Sequence, residues 1–262
     1  IKIVNHENAV NLDDLKKDIS FNNISFNYDE KESLFKNFNL NIPFGSSVGI
    51  VGDTGSGKTT IAKLLLRLYD LSDGSIYIGE HDLKEIDIHS LRNKIGIVSQ
   101  DSFLFNSTIS KNISYGSTDS KKQDIKLAAE QSQAIEFIEK LPKGFETIVG
   151  ERGRTLSGGQ NQRLAIARAL MRKPDVLIFD EATSSVDNKT EQLIQKALFN
   201  IRKGRTTIII AHRLSTIRNC DNIFVLKDGV ILEEGDHNRL VNKKGGYYSQ
   251  LWKIQTGEKL LS

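Results

Sequence analysis

Cysteine, tryptophan and methionine occur once each in 262 residues, and proline three times. The lone Cys220 has no partner for an intrachain disulfide, which excludes a disulfide-stapled secreted scaffold and fits a reducing setting. Also missing is any apolar run near the roughly 18 residues that a membrane helix requires. The most apolar stretches, "VLIF" (176–179) and "IIIA" (208–211), have the length of buried strands. The start, "IKIVNHENAVNLDDLKKD", is polar and carries acids, so it is no signal peptide. Charge of one sign is not in excess either. The net +3 is too small for a chain of this length to indicate a polyanion-binding surface, and no basic cluster interleaved with aromatics points to nucleic acid. There is no internal repeat and no low-complexity tract. What remains is an ordinary globular composition with room for one large domain or two small ones.

Residues 1–19 lack periodicity and read as a linker, and a start on isoleucine rather than methionine suggests a chain cut from something longer. β-type segments follow at 20–26 and 34–41. "SVGIVG" (47–52) reads as a buried strand running into a glycine-rich loop, with "KTTIAKLLLRL" (58–68) as the helix behind it. Ile61, Leu64, Leu65 and Leu68 fall on one face of that helix. A further strand is expected at "IGIVS" (95–99). From about 101 to 172 strand signals fade, and helical patterns run through "KQDIKLAAEQSQAIEFIEKL" and "GGQNQRLAIARALMR", separated by Pro142 and Gly144. After Pro174 strand and helix alternate again: "VLIFD", a helix from about 187 to 201, "TTIIIA", "NIFVL" and "VILEEG". This alternation predicts an α/β fold built on a mostly parallel sheet, with the helical middle as an inserted subdomain.

"GDTGSGKT" matches the phosphate-loop pattern from Gly52 to Thr59. Its glycines let successive N–H groups turn inward around phosphates, Lys58 supplies a point charge, and Thr59 offers a hydroxyl to Mg²⁺. "VLIFDE" reads as a strand delivering Asp180 and Glu181 to the carboxyl edge of a sheet, where ligands of open α/β sheets bind. Asp180 suits a magnesium ion; Glu181 suits the orientation and polarisation of an attacking water. His212 follows "TTIIIA" and emerges at the same edge if that strand lies beside "VLIFD". Gln100, just past "IGIVS", also ends a strand. A second glycine pair stands in "TLSGGQNQRLAIARAL", behind Ser157 and before an amphipathic helix. That is a second cradle for phosphate, without a lysine.

In their order and spacing, "GDTGSGKT", Gln100, "LSGGQ", "VLIFDE", "SSVD" and "AHR" resemble the nucleotide-binding domain of ATP-binding cassette (ABC) proteins, from about residue 20 to 255. The resemblance implies a P-loop NTPase fold of the ABC-ATPase type, with an antiparallel β subdomain beside the parallel core. The core would comprise 20–100 and 173–255, and the helical subdomain about 101–172. It implies ATP and Mg²⁺ as ligands, with nucleotide contacts from Gly52, Asp53, Thr54, Gly55, Ser56, Gly57, Lys58, Thr59 and Thr60. Tyr28 resembles the aromatic that stacks on adenine, Gln100 the glutamine that touches Mg²⁺ or water, Glu181 the catalytic glutamate and His212 the switch histidine on the γ-phosphate. Two such domains pair head to tail in this family, so Ser157, Gly158, Gly159 and Gln160 would close over a partner copy's ATP. Asp187 resembles the aspartate that contacts the opposite protomer. The sequence departs from the family's habit at Asp29, where proline is frequent, at Ser185, where alanine is, and at Asn161, a helix-surface position of little consequence.

"TIVGERG" (147–153), "SQDSFLFNSTISKNISYG" and the tail "GGYYSQLWKIQTGE" resemble exporters, in which the domain follows a membrane domain and sits on the cytoplasmic face of the membrane. Residues 1–19 would then be the linker from that membrane domain. With both half-sites intact, the expected partner is a second copy of the chain. Two rivals remain open: an importer's stand-alone ATPase subunit, which would start with methionine and lack "GERG", and a nucleic-acid or ribosome machine. Among the second, chromosome-maintenance types carry a long coiled coil between the phosphate motifs, for which this chain has no room.

Overall fold

A computed structural model describes residues 3–28, 33–100, 103–117, 119–182, 188–202 and 204–257. Strands β1 (Ile19–Phe26), β2 (Phe35–Ile42), β4 (Asp73–Ile78) and β5 (His81–Asp82) form an antiparallel sheet in the order β2-β1-β4-β5. A second sheet runs β10-β9-β3-β8-β7-β6, from β3 (Ser47–Gly52), β6 (Ile95–Val98), β7 (Val176–Asp180), β8 (Thr206–Ile210), β9 (Asn222–Lys227) and β10 (Val230–Gly235). Within it only β10 is antiparallel to its neighbour. The helices are α1 (Lys58–Leu65), α2 (Ile88–Lys94), α3 (Ile109–Ile113), α4 (Lys122–Gln131), α5 (Ile135–Ile138), α6 (Gly158–Met171), α7 (Asn188–Ile201), α8 (His237–Val241) and α9 (Tyr247–Thr256).

The unbroken apolar runs make sense in this sheet, because successive side chains of a strand point to opposite faces and both faces are covered. Val176 and Ile178 of β7 enter a core shared with α1 and the antiparallel sheet. Leu177 and Phe179 enter the other, beneath the helical layer. Likewise Ile208 and Ile210 of β8 face one core and Ile209 the other. The expected α/β class, the parallel core, the antiparallel subdomain and the inserted helices are all present.

Two expected helices stop early, for one physical reason. The helix expected to reach 68 ends when Arg67 turns left-handed (φ 49°), with Arg67 N–H donating to Leu64 O at 2.9 Å and Leu68 N–H to Lys63 O at 2.9 Å. This is the Schellman closure. Leu68 therefore leaves the buried face and is 46% exposed, against the expectation drawn from its spacing. The pattern over 122–141 likewise splits into α4 and α5, because Gln133 turns left-handed (φ 58°) and Ala134 N–H reaches Ala129 O at 2.8 Å.

The segment read as a linker is not free of the core. Leu15 is fully buried and its N–H donates to the Asp175 carboxylate at 3.0 Å. Val10 N–H donates to Glu85 O, Asp87 N–H donates to Val10 O, and the Arg67 guanidinium reaches Val4 O at 3.2 Å. Among the described residues no helix is long and apolar enough to cross a membrane.

Candidate functional site

Parallel pairing sets the site. β8 lies between β3 and β7, with Ile50 and Asp180 both opposite Ile210, and β6 flanks β7 with Val98 opposite Phe179. Four carboxyl ends therefore share one edge. They deliver the phosphate loop after β3, the segment of His212 after β8, Asp180 and Glu181 at β7, and Gln100 after β6. The condition set for His212, that its strand lie beside "VLIFD", is met.

The loop needs its glycines at two places in particular. Gly52 has φ 147° and a Cβ there would stand 1.9 Å from the Leu226 carbonyl oxygen of β9. Gly57, the residue before α1, has φ 102°, and a Cβ would lie 2.5 Å from the Phe35 ring. Asp53, Thr54 and Gly55 are exposed, whereas Ser56, Gly57 and Lys58 are buried. The Lys58 ammonium donates to the carbonyls of Gly52 (3.0 Å) and Asp53 (2.8 Å), folding back over the loop. Burial pulls its pKa below the ordinary lysine value, opposed by Glu181, Asp53 and Asp180. The buried Ser56 Oγ has no hydrogen-bond partner among the described residues.

Thr59 Oγ1 donates to Asp180 Oδ1 at 3.0 Å. Burial raises the Asp180 carboxyl above the usual range; the Thr59 hydrogen bond opposes this and the neighbouring Glu181 adds to it. A hydroxyl beside a half-buried acid fits a hard divalent cation, and magnesium commonly takes only one or two protein ligands beside substrate phosphates. Glu181 has a left-handed backbone (φ 51°) and its N–H donates to Ile210 O at 2.8 Å. A non-glycine residue held this way at a strand end stores about 1–3 kcal/mol of strain, which is found chiefly where function demands it.

Tyr28 stands beside the start of α1, its hydroxyl 3.0 Å from Thr60 Oγ1 and its ring edge-on to Phe26 and Tyr69. It is 45% exposed, with the Lys63 ammonium 5.5 Å from the ring centre. Gln100 and His212 are exposed. The second glycine pair lies apart from this edge in sequence and layer, at the start of α6. There Ser157 Oγ accepts from Gln160 N–H (3.3 Å) and Gln160 Oε1 accepts from Ser157 N–H (2.9 Å). This reciprocal cap leaves Ser157 and Gly158 exposed at the helix start and Gly159 buried behind them. Asp187, like Asp29 and Ser185, lies outside the described residues.

Asn161 is not the inconsequential surface position expected. Its amide nitrogen donates to Gly153 O at 3.3 Å, and a Cβ on Gly153 would meet its side chain at 2.5 Å, so it fixes the turn before "LSGGQ" to α6. That turn is strained, with Arg152 at φ 52°. Just before it, residues 147–149 pair with 107–109. Two contacts at the site carried no sequence signal. Tyr247 of α9 donates to Asp53 Oδ1 at 2.5 Å, and Gln255 of the same helix bonds the backbone at His212 and Leu214. Both residues sit in a tail with no motif of known chemistry.

Comparison with known proteins agrees with this geometry. The family model described as "ABC transporter" matches residues 35–184. The chain is 49% identical over 250 residues to the ATP-dependent lipid A-core flippase of Photorhabdus laumondii, covering 94% of this chain and 43% of that protein. Against the flippase of the same name from Escherichia coli K12 it is 47% identical over 243 residues, 92% of this chain and 42% of the other. ABC transporter B family member 21 of Arabidopsis thaliana is 46% identical over 95% of this chain, which spans 19% of that protein. The solved structure of a bacterial Atm1-family ABC exporter with ATP bound superposes with a TM-score of 0.92 at 42% identity, covering 98% of this chain and 45% of the other. The chain thus spans less than half the length of each of these relatives. With the motifs, the strand order and the family match in agreement, the chain belongs to the ABC transporter family and has the fold of its ATPase domain.

Proposed function

We propose that the chain binds ATP with Mg²⁺ and hydrolyses it as one of two copies paired head to tail, so that hydrolysis powers export through a membrane domain. The observation that carries this reading is the convergence of Lys58, Thr59, Asp180, Glu181, His212 and Gln100 at one sheet edge. Lys58, held on the loop carbonyls, turns its charge to the β and γ oxygens when phosphates enter. The loop's N–H groups and the α1 dipole hold the same oxygens. Thr59 and Asp180 would hold Mg²⁺, which when bound neutralises charge on the β and γ oxygens. Glu181 orients a water and takes its proton as the water attacks phosphorus, and the ADP oxygen leaves in line. His212 and Gln100 approach the γ-phosphate and its water from the flanking strand ends. The exposed Tyr28 ring takes the base by its π-face.

The exposed, pre-capped start of α6 supports a site completed in trans, with Ser157, Gly158, Gly159 and Gln160 closing on the partner copy's γ-phosphate and Asp187 meeting that copy. Because both half-sites keep their chemistry, the natural pair is two copies of this chain. The exposed Phe103, Phe105, Tyr115 and Ile148, near Gln100 and the 147–153 turn in sequence, suit docking of a membrane domain on the cytoplasmic face of a membrane. Relatives named as a flippase and an exporter favour export over import.

Glu181→Gln keeps size and hydrogen bonding but removes the base, so hydrolysis falls about 10²- to 10⁴-fold. The mass of this variant, measured by light scattering with ATP and Mg²⁺, should double relative to the ATP-free sample. Turnover at the wild-type rate would remove Glu181 from its role. A variant that binds ATP yet stays monomeric would mean that pairing needs the membrane domain or an unlike subunit.

A further inference from the structure

We propose that Gln255, in the last turn of α9, is a positioning residue for His212. This inference rests on the reading that His212 meets the γ-phosphate. The Gln255 side-chain amide sits against the backbone as a peptide group would. Its Nε2 donates to His212 O at 2.7 Å and its Oε1 accepts from Leu214 N–H at 2.9 Å. An N–H on one side and a C=O on the other fix which way the amide faces. The two bonds bracket Arg213, so the backbone dihedrals that aim His212 are set from outside its own loop. From α7, Glu191 holds the same segment through side chains, pairing with Arg213 and accepting from Ser215 Oγ at 2.9 Å. The two helices leave a cleft of about 390 Å³ onto which His212 opens.

A helix without packing partners frays, and a clamp on a fraying helix would position nothing. α9 is anchored. Tyr248 is fully buried with its hydroxyl 2.9 Å from His237 Nδ1, and Trp252 packs 4.5 Å from the His237 ring. At its other end Tyr247 donates to Asp53 of the phosphate loop. One helix therefore touches the loop that holds the phosphates and the segment that reads them, at points about 12 Å apart along its axis. Without the clamp the phosphate loop keeps its own bonds, while the His212 segment loses the two backbone hydrogen bonds that Gln255 supplies. The expected defect is in turnover rather than in ATP binding.

The decisive variant is Gln255→Glu, which is isosteric and exposed, keeps an acceptor for Leu214 N–H and sets a carboxylate oxygen against His212 O. In the 262-residue chain, kcat for ATP should fall about ten-fold with KM within two-fold of wild type and the urea midpoint unchanged. The second readout is the His212 imidazole resonance. The chain has five histidines, and His212→Ala assigns the signal. In the Glu181→Gln background ATP should shift this resonance, and adding Gln255→Glu should reduce that shift while leaving the other histidines as they were. A wild-type kcat, a KM that rises in step with the loss, or an undiminished His212 shift would each overturn the proposal. If ATP does not move the His212 resonance when Gln255 is intact, the reading of His212 fails first and the proposal with it.

Discussion

At the scale of single residues the site holds acids and a lysine in tension. Asp180 lies above its ordinary pKa, chiefly because it is buried. A folded value above the unfolded one means that the native state prefers the protonated acid. Stability is therefore fullest below the ordinary value of 3.8 and declines as pH rises through the folded value. Ionising Asp180 therefore works against the apo fold. Asp180→Asn should raise the urea midpoint of the apo chain at pH 7, since an amide oxygen still accepts from Thr59, while abolishing Mg²⁺-dependent hydrolysis. A lower midpoint would show that the ionised carboxylate stabilises the fold. These positions were legible in the sequence because chemistry restricts the residue types allowed there: glycine where Leu226 O leaves no room, lysine for charge, acids at a strand end. Asn161 was misjudged for the opposite reason, since nothing local announces that Gly153 presses against it.

At the scale of elements, the strands that were expected were legible nearly to the residue, whereas β4, β5 and the helix ends were not. Buried strands announce themselves as short apolar runs, and "VILEEG" and "VLIFD" match β10 and β7. Helix ends announce themselves chiefly through glycine at the left-handed position, and here Arg67 and Gln133 occupy it. The apolar spacing runs on past both, so it carried Leu68 into a helix that had already closed. Gln133 suggests a direct test. Left-handed geometry costs an L-residue about 1–2 kcal/mol, and glycine gives back about 0.5–1 kcal/mol in chain entropy. Gln133→Gly should thus stabilise the chain by about 0.5–1 kcal/mol, read from the urea midpoint at constant slope. Arg163 takes the Gln133 carbonyl and not its side chain, so that contact survives the change. A lower midpoint would mean that the Gln133 side chain, donating to Glu130 O at 3.1 Å, outweighs the strain.

At the scale of the whole molecule, the two cores share one central sheet, and groups buried in the core beneath the helical layer tie stability to pH. Burial pushes the Cys220 thiol from 9.0 up to about 12 and raises the Tyr248 phenol as well. Below 9.0 the thiol is neutral in both states. Between 9.0 and about 12 the unfolded chain releases a proton that the native chain keeps, so stability falls with rising pH. Urea midpoints measured from pH 8 to 11 should decline, and Cys220→Ala should flatten that decline. An equally steep decline in the variant would assign the loss to other groups. The tail was the least legible region at this scale. Alternation of strand and helix predicts a parallel sheet but not the order of its strands, nor that α9 returns to Asp53 and His212.

The strand order has a consequence in time. β3, which carries the phosphate loop, is made well before its two neighbours in the sheet, β8 and β9. Ser47 at its start is held by the Asp221 carboxylate, and Gly52 at its end packs on the carbonyl of Leu226. A nascent chain that has not yet reached the two-hundreds has neither flank nor either of these supports. The loop proposed to hold the nucleotide thus precedes by about 150 residues the strands that seat it. A nascent copy in which β8 and β9 have not yet emerged would have no finished cradle in which to hold ATP.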